Sequence, residues 1–224
     1  MLLHIKSVLD SNQISNIASM LSKANFVDGK ISAGMAAQRV KNNLELQANA
    51  KQMEYLDHFV MSNLAKNEAF RDGALPYRVS QPVFARYIPG MYYGDHIDDP
   101  IMGAAEGRFR TDVAVTVFLN SPEDYSWGEL VINTAFGARE VKLPAGDAVI
   151  YPASSLHQVA EVTHGERLVA VCWLQSLVRD PAKRELLYEL NLARNKLMRE
   201  SPEAEETKQM DHAYVNLIRM WSEV

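Results

Sequence analysis

Val83-Phe-Ala-Arg-Tyr-Ile88, Asp112-Val-Ala-Val-Thr-Val-Phe-Leu119, Arg139-Glu-Val-Lys-Leu143, Asp147-Ala-Val-Ile-Tyr151 and the run from Arg167 to Trp173 are short, rich in β-branched and aromatic residues, and close together in the chain. Pro89-Gly90, Asn120-Ser-Pro122, Trp127-Gly128, Pro144-Ala-Gly146 and His164-Gly165 separate them, and such residues supply the backbone angles of turns. Many short strands with turns between them point to an antiparallel sandwich or barrel, of which the jelly roll is one solution. The β core is expected over residues 83–175.

Outward from that core the pattern changes to helical. Before it, Asp10 or Ser11 reads as an N-cap ahead of Ile14, Ile17, Ala18 and Leu21 at helical spacing. A longer helical pattern is expected from Leu44 to Leu64, with Met53, Leu56, Val60 and Leu64 on one stripe facing the core. After Pro181, Leu186, Leu187, Leu190, Ala193 and Leu197 form a stripe, Ser201-Pro202 breaks it, and Met210, Ala213, Tyr214, Leu217 and Trp221 form a second. The expected architecture is α+β: a double-stranded β-helix (jelly-roll) core with N-terminal helices and a C-terminal helical hairpin. The expected division is a catalytic domain over residues 1–178 and a helical element over 179–224, packed on its own barrel or serving a homodimer.

Composition narrows the function. The 224 residues carry a formal net charge of -5, which leaves no basic footprint for phosphate backbones, so nucleic acid is not the expected partner. The opening Met1-Leu-Leu-His-Ile-Lys-Ser-Val-Leu-Asp10 has too short an apolar run for a signal peptide, and nowhere is an apolar run long enough to span a bilayer. No membrane association and a cytoplasmic location are therefore expected. The single cysteine, Cys172, sits in an apolar run and reads as a core side chain.

Two of the six histidines stand apart. His96 and Asp98 flank Ile97, and residues two apart on an extended chain point to one side, which brings an imidazole and a carboxylate together. A lone His-x-Asp triplet is common. With His157 downstream, however, it completes a two-histidine, one-carboxylate facial triad that leaves adjacent positions open on octahedral Fe(II). Arg167 adds a planar guanidinium able to clamp the free carboxylate of an iron-chelating α-keto acid with two parallel hydrogen bonds. If the strands of His157 and Arg167 form a hairpin, a three-residue loop Thr163-His164-Gly165, with Gly165 left-handed, turns both side chains to the same face.

The other candidates have plainer readings. His4, His58 and His212 are expected in surface or packing roles, and His164 in a turn. Asp95 and Asp99 flank the triplet on the opposite parity and serve the turn. Arg110 sits in a polar stretch entering a strand and carries no assigned role.

The stretch Tyr87-Ile-Pro-Gly90-Met-Tyr-Tyr93-Gly-Asp-His96-Ile-Asp98 resembles the Tyr-x-x-Gly-x-x-Tyr-x-x-His-x-Asp signature of the prolyl and lysyl hydroxylase group of 2-oxoglutarate oxygenases. The resemblance continues through Thr111 to Asn120, Trp127-Gly-Glu-Leu130 and Pro144-Ala-Gly-Asp147, and with the flanking helices the chain resembles bacterial PKHD-type hydroxylases, some associated with iron uptake. It implies Fe(II) at His96, Asp98 and His157, 2-oxoglutarate at Arg167 with Tyr87 as a secondary contact, and dioxygen as co-substrate. The implied reaction is hydroxylation of a peptidyl, amino-acid or small-molecule substrate with release of succinate and CO2, and L-ascorbate as auxiliary reductant is implied on the same ground. Trp127-Gly128 departs from the two glycines of many relatives. Two rivals are a cupin-like metal enzyme needing no Arg167 and a non-catalytic barrel that only binds a metal or ligand.

Overall fold

The architecture, taken from a computed structural model that describes residues 1–223, rests on two antiparallel sheets. The larger has eight strands, in the order Leu3–Ile5, Ala148–Pro152, Val113–Phe118, Arg167–Ser176, Val83–Tyr87, Leu44–Gln47 and Asn25–Asp28, with Pro76–Val79 also paired to Arg167–Ser176. The smaller has five: Gly137–Val141, Leu130–Thr134, His157–Val159, Tyr92–His96 and Lys41–Asn42. Together they form the double-stranded β-helix expected from the run of short strands.

The central strands of the large sheet are apolar on both sides because both sides are covered. Val113, Val115 and Val117 pack with Phe84, Ile150, Ala170 and Cys172 beneath the helices, while Ala114 and Phe118 of the same strand face Tyr151, Val169 and the small-sheet residues Leu130, Ile132 and Val159. Each buried branched side chain contributes on the order of 1.5–3 kcal/mol. On the first face lie helices Ser11–Leu21, Ala50–Lys66 and Glu68–Ala74, through Ile17, Leu21, Leu56, Val60, Leu64 and Phe70. Asp10 caps the first helix: its carboxylate accepts from Gln13 N at 2.8 Å, and the Gln13 side chain accepts from Asp10 N at 2.8 Å.

The N-terminal third is less helical than its sequence pattern suggests. Leu44–Gln47 is a strand paired with Val83–Tyr87, and the helix begins only at Ala50, behind the Asn49 cap. Leu3–Ile5 and Asn25–Asp28 are also edge strands of the large sheet. Tertiary pairing decides such short segments, over local propensity. The first is pinned by His4, whose Nε2 lies 2.7 Å from Asp147.

The expected hairpin between the strands of His157 and Arg167 does not form. His157–Val159 pairs with Leu130–Thr134 and Tyr92–His96 in the small sheet, whereas Arg167–Ser176 runs in the large one. Between them Val162–Gly165 pairs with Tyr125–Trp127. Gly165 does adopt the left-handed conformation (φ 73°), and a Cβ there would strike the Asp124 carbonyl. His157 and Arg167 therefore meet across the sandwich, where parity within one ladder has no bearing.

Helices Pro181–Glu200 and Glu205–Trp221 form the C-terminal hairpin, joined by an Arg194–Asp211 ion pair of 2.6 Å. The hairpin is seated on the chain's own core: Asn191 donates to Asp72 at 2.7 Å and Asn195 to Glu68 at 3.2 Å, both on the Glu68–Ala74 helix.

Candidate active site

His96 and His157 sit opposite each other on neighbouring strands of the small sheet, with ring centroids 4.2 Å apart. Each imidazole is turned by a carbonyl two residues upstream, Gly94 on the His96 strand itself and Ser155 in the bend that leads into the His157 strand. His96 Nδ1 lies 2.8 Å from Gly94 O and His157 Nδ1 2.9 Å from Ser155 O. A carbonyl only accepts, so both Nδ1 atoms carry the proton and both Nε2 atoms are left free to ligate a metal. Asp98 follows the end of the His96 strand, with Oδ1 3.9 Å from His157 Nε2, and one ligand atom from each of the three residues lies within 4.8 Å of the others.

Aromatic rings pack the imidazoles in place. Tyr93 stacks on His96 at 3.6 Å and Tyr151 meets His157 edge-on at 5.1 Å. Burial, with His157 adding to it, pushes the His96 imidazole down to about 4, so it is neutral at physiological pH. Burial pushes the Asp98 carboxyl up. A divalent cation reverses that penalty, and two imidazoles with one carboxylate form a donor set suited to Fe(II). The residues present fit the ion.

Arg167 points into the sandwich from the large sheet, beside its ladder partner Tyr87. It is 1% exposed, its Nε has no partner, and among the described residues it makes no ion pair. Its guanidinium carbon lies 5.0 Å from the Tyr87 ring centroid and 5.7 Å from that of Phe118. Removing an unpaired charge from water costs several kcal/mol, so such an arginine calls for an anion. One cavity of about 110 Å³ is lined by His96, Asp98, His157, Arg167 and Tyr87, which gives a dicarboxylate access to both ends.

Other lining residues were not singled out from the sequence. Lys41 and Glu45, side chains only 8% and 12% exposed, form a 2.5 Å ion pair that Ser32 joins, its hydroxyl donating to Glu45 at 2.9 Å. Lys41 belongs to the small sheet and Glu45 to the large one, so the pair bridges them. Trp173 also lines the cavity, and its indole Nε1 is buried without a partner, as is Asp98 Oδ2. Its signal was present in the chain, since it shares strand parity with Arg167. The pair from the N-terminal segment had none, because only the fold brings that segment to the site.

The remaining candidates lie apart from this cavity or at its rim. His164 is exposed on the Val162–Gly165 strand, and His58 and His212 lie on helices. Asp95 and Asp99 are exposed, and the Asp99 carbonyl accepts from Thr111. Arg110 is not merely solvated: it pairs with Asp112 at 2.7 Å and Glu223 at 3.3 Å, which ties the end of the described chain to the barrel.

Residues 82–175 match the model of the 2OG-Fe(II) oxygenase superfamily, and residues 181–223 that of the PKHD-type hydroxylase C-terminal domain. A PKHD-type hydroxylase of Thioalkalivibrio sulfidiphilus is 51% identical over the whole of both chains, and one of Hyphomonas neptunium is 42% identical, again over the whole of both. The chain belongs to the PKHD-type hydroxylases. It is accordingly an Fe(II)- and 2-oxoglutarate-dependent dioxygenase. Solved structures share the hydroxylase's fold at low identity. A Trichoplax adhaerens prolyl hydroxylase in complex with a peptide fragment aligns with TM-score 0.57 at 16% identity, covering 83% of this chain and 86% of its own. HygX from Streptomyces hygroscopicus, with nickel, 2-oxoglutarate and hygromycin B bound, aligns with TM-score 0.51 at 14% identity, covering 79% and 84%. Among the described residues of this PKHD-type hydroxylase, no helix is long and apolar enough to cross a membrane.

Proposed function

We propose that His96, Asp98 and His157 hold the Fe(II) of this hydroxylase and that Arg167 grips the distal carboxylate of 2-oxoglutarate, with Tyr87 alongside. The observation that carries the reading is the buried Arg167 guanidinium, without an ion-pair partner among the described residues, in the same cavity as the triad. A cupin-like enzyme indifferent to Arg167, or a barrel that only binds a ligand, leaves that charge unexplained.

When bound, the metal and its co-substrate supply the oxidation, in which dioxygen, 2-oxoglutarate and a C–H bond give succinate, CO2 and an alcohol. The chain's own residues orient and enclose. Arg167 offers two parallel N–H donors that fix a carboxylate in one plane. The Nδ1 protons of His96 and His157, donated to backbone carbonyls, keep the Nε2 lone pairs aimed inward. Tyr87, Phe118 and Tyr151 exclude water from the oxidising centre, a protein contribution as important as ligation.

The substrate is a peptidyl or amino-acid side chain, or a small molecule; the peptide and hygromycin B held by the two solved relatives support both classes. L-ascorbate would serve as auxiliary reductant, as the family resemblance implies. Residues 1–178 form the dioxygenase domain and 179–224 its helical element. A cytoplasmic location fits the absence of a membrane-crossing helix among the described residues, and exposed Leu186, Leu192 and Met220 support a homodimer through the C-terminal helices, checked by sedimentation velocity.

The test of the site is an anaerobic titration of the apoprotein with Fe(II) and 2-oxoglutarate, following the visible metal-to-ligand charge-transfer band. The band should form in wild type, vanish in His157→Ala, and need far more 2-oxoglutarate in Arg167→Ala. A folded, iron-loaded wild type without the band would refute the assignment.

A further inference from the structure

Among the unmatched polar atoms on residues lining the cavity, which include Arg167 Nε and Asn43 Oδ1, two of opposite kind belong to Asp98 and Trp173. Asp98 Oδ2 is a buried acceptor without a donor, and Trp173 Nε1 is a buried donor without an acceptor. They approach from different sheets: Asp98 follows the Tyr92–His96 strand of the small sheet, while Trp173 projects inward from Arg167–Ser176 of the large one. Leaving either atom unsatisfied costs about 1–3 kcal/mol, a cost that complementary orphans reaching one cavity from the two sheets avoid by serving each other.

We propose that Trp173 is a positioning residue for the metal site, its indole N–H donating to Asp98 Oδ2 so that Oδ1 is the oxygen presented to the ion. The inference rests on the assignment of His96, Asp98 and His157 as ligands. Asp98 Oδ1 already faces His157 Nε2 at 3.9 Å, which places it on the ligand side and leaves Oδ2 turned away. A carboxylate ligating through one oxygen needs a donor on the other to stop it rotating, and indole can donate but never accept.

Apart from Arg167, assigned above to the co-substrate, the neighbouring Lys41 and imidazole donors are committed. Lys41 Nζ is held by Glu45 at 2.5 Å and by Ser32 Oγ at 3.1 Å. Both imidazole N–H groups are spent on backbone carbonyls. The backbone of Trp173 is fixed independently, its N–H donating to Ser80 Oγ at 3.0 Å and its carbonyl accepting from Ser80 N at 2.8 Å. The indole is thus carried by the more deeply buried sheet and steadies a ligand that lies just past the end of a strand.

Two measurements on the full-length protein test this. The first is Mn(II) affinity, by EPR titration of the apoprotein, in wild type and Trp173→Phe. Loss of such an outer partner typically weakens metal binding about 10–100-fold. The second needs no variant fold: in the ¹⁵N-labelled wild type, the Trp173 indole N–H resonance should move downfield and exchange more slowly with water on Zn(II) loading. Trp173→Phe binding Mn(II) within twofold of wild type, or an indole resonance unmoved and unprotected by Zn(II), would overturn the proposal. A wild type that takes up neither metal would instead sink the ligand assignment beneath it.

Discussion

The two sheets of the sandwich divide the labour of the site, and they are built differently. The large sheet carries Arg167 on its ten-residue central strand Arg167–Ser176, flanked on both edges and covered on both faces. The small sheet carries the imidazoles on Tyr92–His96 and His157–Val159, which have five and three residues, and the outer side of its Gly137–Val141 edge is exposed. A guanidinium without a carboxylate partner is costly to keep, and only a strand with apolar packing above and below has the surplus to hold it. Metal ligands need less, because a bound cation contributes its own cross-link among strands. On the proposed assignment the scaffold alone fixes the arginine end, and the metal end would depend on the ion for part of its order.

Three measurements would break or sharpen that contrast. The largest effect is expected from Arg167→Met, which should weaken 2-oxoglutarate binding by at least about 100-fold, the value of a lost bidentate pair, yet raise apoprotein stability by about 1–4 kcal/mol because an unpaired charge is removed. Calorimetric titration and urea unfolding read both. A variant less stable than wild type would mean that the guanidinium has found protein partners and that the large sheet carries no such penalty. Next is hydrogen exchange with and without metal. At a hundredfold excess over Kd a ligand adds about 2.7 kcal/mol, and the added protection should concentrate in Tyr92–His96 and His157–Val159, leaving Val113–Phe118 nearly unchanged. Equal gains in both sheets would erase the distinction. The smallest effect concerns Trp127, 65% exposed and left-handed at φ 63° ahead of Gly128 at φ 72°. Trp127→Gly should stabilise by about 0.5 kcal/mol, the relief of a strained angle less glycine's added chain entropy, as a small rise in Tm.

The same contrast explains what could be read from the chain. The large sheet's centre was legible because Val113 to Phe118 and Leu168 to Leu174 are nearly unbroken apolar runs bounded by turns, and the helices announced themselves through Asp10 and through the Met53, Leu56, Val60 stripe. The clustering of His96, Asp98 and His157 was legible in part because the first two sit two residues apart. What failed was pairing. Leu44–Gln47 looked continuous with the helix after it, since nothing local says that Val83–Tyr87 lies alongside. A hairpin would set the facing of His157 and Arg167 by parity, whereas the chain changes sheets between them. Local rules do not report such crossings. Lys41, Glu45 and Ser32 went unnoticed for the same reason, as their nearness to the metal site exists only after folding.

The upstream carbonyls that turn the two imidazoles have a consequence for engineering. Gly94 to His96 and Ser155 to His157 each contain, within three residues, both a ligand and the group that sets its tautomer. Such a unit is portable: placed on any pair of adjacent antiparallel strands with the same register, it brings its own orientation with it. The carboxylate is not portable in this sense, since its correct aim depends on a residue from another layer. A transplanted copy of this centre that kept the histidines but neglected that distant support would be expected to load metal loosely.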